Sequence, residues 1–215
     1  MFFCCSELLF LQIILKLYWF ILFYLVTINV KKSKIDTRFN LCYSIYMREN
    51  FYVFLDIDGV MFDWKYRLSS GKKLGGIIKD FNPESVKSLN FLCDTLSKQF
   101  NTSVVITSTW KQHWDSLLEA FDANGVDLTG VNLDKTITRD DPKFRGREIV
   151  EYLGDNYQNG NFVIIDDEMF DYRKYFKGSD IIKTNMQDSS LNMDMVTQFL
   201  VSRGIDFMGS DCAML

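Results

Sequence analysis

Histidine occurs once, at His113, and none of the five cysteines (Cys4, Cys5, Cys42, Cys93 and Cys212) forms a C-x-x-C pair. The chain therefore has little material for a zinc site. The cysteines read as free thiols, buried or incidental, in a reducing compartment. An excess of positive charge is missing too, since the formal net charge is −4 at pH 7. Residues 1–46 hold five basic side chains (Lys16, Lys31, Lys32, Lys34 and Arg38) and two acidic ones (Glu7 and Asp36). That leaves 19 basic and 26 acidic residues, a net of −7, in the remainder. An acidic body argues against strong general binding to a nucleic-acid backbone, although a local basic pocket stays open. No internal repeat and no low-complexity tract is present. A composition 47% hydrophobic and 24% charged is globular rather than disordered. The 215 residues suffice for a domain of ordinary size with a full core.

Between Leu8 and Val30 the chain is almost wholly apolar, interrupted by Gln12, Lys16, Thr27 and Asn29. Two readings of residues 1–46 stand side by side. In the first they are a membrane anchor, because the apolar length spans a bilayer. Lys16 would cost about 2.5–3.5 kcal/mol there, which the many Leu, Ile and Phe residues offset. Lys31, Lys32, Lys34 and Arg38 on the C-terminal flank then leave the body in the cytoplasm. In the second, residues 1–46 are an over-long start, and a compact domain begins at Met47. A cleaved signal peptide fits worse, for want of a basic n-region and a small-x-small cleavage site. At the other end, Cys212-Ala213-Met214-Leu215 has the form of a prenylation signal, without a polybasic run before it. The expected organisation is a hydrophobic segment and linker over 1–46, followed by one domain over 47–215.

The body opens on Phe51–Leu55, an apolar run that predicts a buried strand. Asp56 and Asp58 emerge at its C-terminal end, followed by Gly59. Two acids at a strand end cost several kcal/mol unless a cation or hydrogen-bond donors compensate. Trp64 to Asp80 reads as a long loop or a short excursion. Asn82-Pro83-Glu84 is a helix start, with an N-cap, a proline at the first helical position and an acid in the first turn. Val86, Leu89, Leu92, Cys93 and Leu96 then recur at helical spacing over about four turns. Asn101 and Thr102 read as a turn, and Ser103–Ile106 as a β-branched strand. Thr107-Ser108-Thr109 leads into a helix with Trp110, Trp114, Leu117, Leu118 and Phe121. The two tryptophans fit a core stripe, with stacking on a base or ring as the alternative. Asn124-Gly125 closes that helix. Residues 126–144 read as irregular, Gly146–Leu153 as a helix, and Phe162–Ile165 as a strand ending in Asp166-Asp167. Ile181–Lys183 is a fourth strand and Leu191–Val201 a closing helix. Strands alternating with helices predict an α/β fold, a parallel sheet with helices on both faces.

Three strand ends thus carry Asp56 with Asp58, Thr107 with Ser108, and Asp166 with Asp167. In a parallel sheet these ends share one edge, where open α/β folds bind ligands. Carboxylates suit magnesium, and hydroxyls with N–H groups suit phosphate. Lys143, Arg145 and Arg147 supply candidate cations for the remaining phosphate charge. This set resembles the haloacid dehalogenase (HAD) superfamily: Asp-x-Asp-Gly, then Thr-Ser, then a basic cluster heading a helix, then Asp-Asp. The stretches Thr107-Ser108-Thr109-Trp110-Lys111, Arg145-Gly146-Arg147-Glu148-Ile149 and Asp166-Asp167-Glu168 resemble the branch found in Swiss-army-knife-type RNA-repair proteins, and the likeness spans roughly residues 51–202.

The resemblance implies a Rossmann-like HAD fold and a magnesium-dependent phosphatase. Asp56 is the implied nucleophile, forming an aspartyl-phosphate, and Asp58 the general acid/base. Thr107, or Ser108 one residue on, would bind the transferring phosphoryl group. Arg145 is the first choice for the cation that stabilises it, with Lys143 and Arg147 as alternatives. Asp166 and Asp167 would complete the magnesium site with Asp56 and the backbone carbonyl of Asp58, and Asp171 would support them. Neither the Gly59–Ile106 stretch nor residues 126–144 has room for a large cap, so a minimal-cap enzyme with an open crevice is expected. Its partner would be a phosphorylated small molecule or a nucleic-acid end. A non-catalytic phosphate- or nucleotide-binding regulator on the same fold is the alternative, as is a phosphatase that acts near lipid through the N-terminal segment.

Overall fold

The computed structural model describes residues 48–70, 80–137 and 142–207. The apolar segment 8–30, the boundary at residues 46 and 47, and the Cys212–Leu215 signal lie outside the described residues. Five strands are present among them: β1 (Asn50–Leu55), β2 (Asn101–Ile106), β3 (Asn132–Lys135), β4 (Phe162–Asp166) and β5 (Ile181–Lys183). They form one sheet in the order β3-β2-β1-β4-β5, with every pairing parallel. Five helices connect or flank them: α1 (Trp64–Ser69), α2 (Pro83–Ser97), α3 (Trp114–Asn124), α4 (Arg145–Leu153) and α5 (Met193–Arg203). This is a Rossmann-like α/β arrangement, as the resemblance implies. Among the described residues no helix is long and apolar enough to cross a membrane.

The central strands are buried on both faces, which is why they read as continuous apolar runs rather than alternating ones. Alternate residues nonetheless serve different cores. Val53, Leu55, Val104, Ile106, Val163 and Ile165 pack with Leu89, Leu92 and Leu96 of α2, Leu117 of α3 and Leu200 of α5. Phe54, Val105, Phe162 and Ile164 pack on the opposite face with Ile149 and Leu153 of α4, Tyr172 and Phe176. Each fully buried large apolar side chain contributes about 1.5–3 kcal/mol relative to exposure. Cys93 belongs to the first core, where burial pushes its thiol up to about 12, so it stays protonated at neutral pH.

The start of α2 follows its sequence signals, with the Asn82 side chain accepting from the Glu84 N–H at 3.0 Å. Elsewhere the structure departs from the expected elements. β2 begins at Asn101 rather than Ser103, because Asn101 and Thr102 pair with Asn50 and Phe51. β3 lies in the stretch read as irregular. Its only apolar residue is Leu133, and as an edge strand it is held by pairing with β2 rather than by burial. The stretch after Asp63 contains α1, capped by the Asp63 side chain on the Tyr66 N–H at 2.7 Å. Trp110 sits in a 3-10 turn, Thr109–Gln112, and α3 starts only at Trp114. α5 starts at Met193, two residues beyond Leu191, because Asn192 caps it.

Candidate active site

The carboxyl ends of β1, β2 and β4 bring the polar residues together. Asp56 directly follows β1, and its N–H donates to the Ile165 carbonyl of β4 at 3.0 Å. Thr107 directly follows β2, and its N–H donates to the Leu55 carbonyl at 3.0 Å. Asp166 is the last residue of β4, with Asp167 next. Oxygen atoms of Asp56, Asp166 and Asp167 all lie within 4.8 Å of one another. The Asp58 carboxylate is not part of that group; its Oδ2 accepts from the Trp110 indole N–H at 3.2 Å.

Gly59 makes the cluster sterically feasible. Its φ is +73°, and a Cβ there would lie 2.6 Å from the Asp167 Cβ. Glycine is therefore required twice, once for the backbone conformation and once for the approach of Asp167.

Arg145, the first residue of α4, is buried against the carboxylates. Its Nη1 donates to Asp166 Oδ2 at 2.9 Å and lies 3.1 Å from Asp56 Oδ1. Only the contact to Asp166 is aligned as a hydrogen bond, so Asp56 Oδ1 is buried beside a charge without an aligned donor. Burial alone would lower the basicity of Arg145, but Asp56 and Asp166 more than offset it and raise it. The Phe170 ring covers the guanidinium at 4.4 Å. The N-terminus of α4 is closed from a distance, since Asp171 Oδ1 accepts from the Gly146 N–H at 2.7 Å. The alternative cations are placed differently. Lys143 is exposed in the turn Pro142–Phe144. Arg147 is exposed and pairs with Glu151 at 3.0 Å. Two residues along a helix is a rotation of about 200°, which turns Arg147 away from the face Arg145 uses.

The two candidate hydroxyls also differ. Ser108 Oγ accepts from the Trp110 N–H at 3.4 Å and so caps the 3-10 turn. Thr107 Oγ1 is buried and has no hydrogen-bond partner among the described residues.

Negative charge dominates the electrostatics. Burial, and then Asp56, push Asp166 up to about 7. Burial, Asp56 and Glu168 push Asp167 up to about 6. Burial and Asp56 also raise Asp58, against the opposing hydrogen bond from Trp110. Tyr172, itself held well above its ordinary range by burial and by Asp166, donates its O–H to Asp166 Oδ2 at 2.7 Å. Three converging carboxylates face the Arg145 guanidinium, with Lys183 acting also on Asp167, and the net raising of Asp166 and Asp167 shows them under-compensated. An all-oxygen donor set suits a hard divalent cation. The donor set present therefore fits such a cation, which oxygens of Asp56, Asp166 and Asp167 would hold.

One buried assembly was not anticipated. Lys111 Nζ donates to Glu148 Oε2 at 2.6 Å, to Thr136 Oγ1 at 3.0 Å and to the Ile137 carbonyl at 2.8 Å. It ties the turn after β2 to the end of β3 and to α4, three residues beyond Arg145. In the sequence, Lys111 and Glu148 look like ordinary helix-surface charges, and only the fold shows that both are buried.

Residues 52–193 match the family model described as the HAD domain in Swiss Army Knife RNA repair proteins. No curated protein matches the chain, and no solved structure does.

Proposed function

Because the chain belongs to the family of HAD domains in Swiss Army Knife RNA repair proteins, and so is a HAD-type hydrolase in general terms, we propose that it is a magnesium-dependent phosphomonoesterase. The observation that carries this reading is the convergence at one sheet edge. The Asp56, Asp166 and Asp167 carboxylates lie within 4.8 Å of one another, with Arg145 beside Asp56 and the Thr107 hydroxyl uncommitted nearby in the sheet register.

In the first step an Asp56 oxygen attacks phosphorus, an aspartyl-phosphate bond forms and the phosphorus–oxygen ester bond breaks. Asp58 gives its proton to the departing oxygen, and the alcohol leaves. In the second step Asp58, now a carboxylate, takes a proton from water. That water attacks the aspartyl-phosphate, which restores Asp56 and releases inorganic phosphate. The raised proton affinity of Asp58 suits its first role. Arg145 and the Thr107 hydroxyl would hold the phosphoryl oxygens. Bound magnesium supplies charge compensation between two anions, nucleophile and phosphate, that otherwise repel.

For the substrate, the family description supports a phosphorylated nucleic-acid end. Only residues 56–82 separate β1 from α2, and so short a stretch supports a shallow covering of the site. A small phosphomonoester is the alternative. The test is hydrolysis of an aryl phosphate with magnesium, followed by 5′- and 3′-phosphorylated oligonucleotides, nucleotides and sugar phosphates. Asp56→Asn should lower the rate at least about 10³-fold. Equal rates for wild type and Asp56→Asn would remove Asp56 from the nucleophile role. Tight phosphate-ester binding without turnover would replace the phosphatase with a binding protein.

A further inference from the structure

Trp110 is buried, at 9% exposure, and lies in the core cluster with α2 and α3. Its backbone is held on both sides. Ser108 caps its N–H from one side, and Lys111 on the other is fixed to Thr136, Ile137 and Glu148. A ring so fixed has little freedom to re-aim, and a buried indole needs a partner for its N–H. That partner is Asp58 Oδ2, at 3.2 Å.

We propose that Trp110 is a positioning residue for Asp58: it fixes one oxygen of that carboxyl group so that the other faces the leaving oxygen. The inference rests on the phosphatase reading and assigns a role that the four-motif pattern does not contain. The chemistry follows from the donor. An indole N–H can only donate, so the oxygen it contacts must be an acceptor. The O–H oxygen of a carboxyl group is a poorer acceptor than its carbonyl oxygen, so the indole contact favours Oδ2 as the unprotonated oxygen. The contact therefore holds the carboxyl plane in one orientation when the ester bond breaks and leaves Oδ1 as the oxygen free to face the leaving group. After transfer, the same N–H stabilises the carboxylate that forms. No bond to Trp110 is made or broken; it acts through Asp58 alone.

A merely structural tryptophan and a positioning one differ in what they do to different leaving groups. Proton donation matters most when the leaving alkoxide is a strong base and least when it is a stabilised aryloxide. The experiment measures kcat/KM, which reports the step in which the leaving group departs, over phosphomonoesters from nitrophenyl to simple alkyl. Wild type should show a shallow dependence on leaving-group basicity. Trp110→Phe should change the nitrophenyl ester by less than about threefold and lower the alkyl ester by about tenfold or more. A benzothienylalanine at position 110, which keeps the bicyclic ring and lacks the N–H, should behave like Trp110→Phe and guards against a packing defect. In Asp58→Asn, adding Trp110→Phe should steepen the dependence no further, because the two act as one unit.

An equal loss for every ester, or no loss for any, would overturn the assignment, as would additive effects with Asp58→Asn. If wild type hydrolyses no phosphomonoester, the phosphatase reading itself fails and takes this inference with it.

Discussion

Asp167 approaches position 59 so closely that a methyl group there has no room. Gly59→Ala should therefore fail in two separable ways. The left-handed backbone, at φ +73°, costs an L-residue about 1–2 kcal/mol, seen as a lower denaturation midpoint. The displaced Asp167 should also weaken the response to magnesium, seen as a smaller rise in melting temperature on adding the ion. A variant with wild-type stability and wild-type magnesium response would contradict both the geometry and the metal assignment. The neighbouring acids show how one sequence motif divides its labour. Asp56 lies beside Arg145 and the other carboxylates, whereas Asp58, two residues on, turns to the Trp110 indole. The Asp-x-Asp spacing lets two chemically identical side chains meet different partners.

At the scale of elements, Asp63 joins two segments distant in the chain. One oxygen caps α1 on the Tyr66 N–H, and the other accepts from the Ser190 N–H at 3.0 Å and hydroxyl at 2.7 Å. Burial would raise its pKa, but these donors prevail and hold the carboxyl below its ordinary range. The folded state thus binds fewer protons than the unfolded one near pH 4. The stability that Asp63 contributes is complete above its unfolded pKa of about 3.9 and is lost as pH falls through the lower folded value. Asp63→Ala should cost about 1–2 kcal/mol at pH 7, with the gap to wild type closing towards pH 3 in denaturant titrations. A gap that does not vary with pH would deny the ionised carboxylate this role. Much of the architecture was legible beforehand for a physical reason: strands buried on both faces must be apolar throughout, and acids ending such runs stand out. Asp56, Asp58, Asp166 and Asp167 were visible on those terms. β3 was not, because Asn132-Leu133-Asp134-Lys135 is an exposed edge held by backbone pairing, which carries no side-chain pattern. Nor were the Lys111–Glu148 pair, the Asp171 cap on α4 or the Trp110 bond to Asp58, because each joins residues far apart in sequence through side-chain direction. The choice among Lys143, Arg145 and Arg147 likewise depends on helix phase, which the start of α4 at Arg145 sets.

At the scale of the molecule, the carboxylates at one sheet edge repel one another in the absence of a metal ion, and a ligand that relieves this binds only the folded state. Magnesium should therefore raise the melting temperature, by an amount equivalent to about 2.7 kcal/mol at a hundredfold excess over its dissociation constant. Chelation should reverse the rise, and Asp167→Asn should reduce it. An identical rise with potassium chloride at matched ionic strength would indicate screening alone. The sheet order has another consequence. β1 lies between β2 and β4, and parallel neighbours are joined only through long crossovers. The cluster at the strand ends therefore has no local precursor, and the fold belongs to the slow, non-local class. During synthesis, a nascent chain already carrying Asp56, Thr107 and Arg145 cannot assemble the cluster until Asp166 and Asp167 have cleared the ribosome.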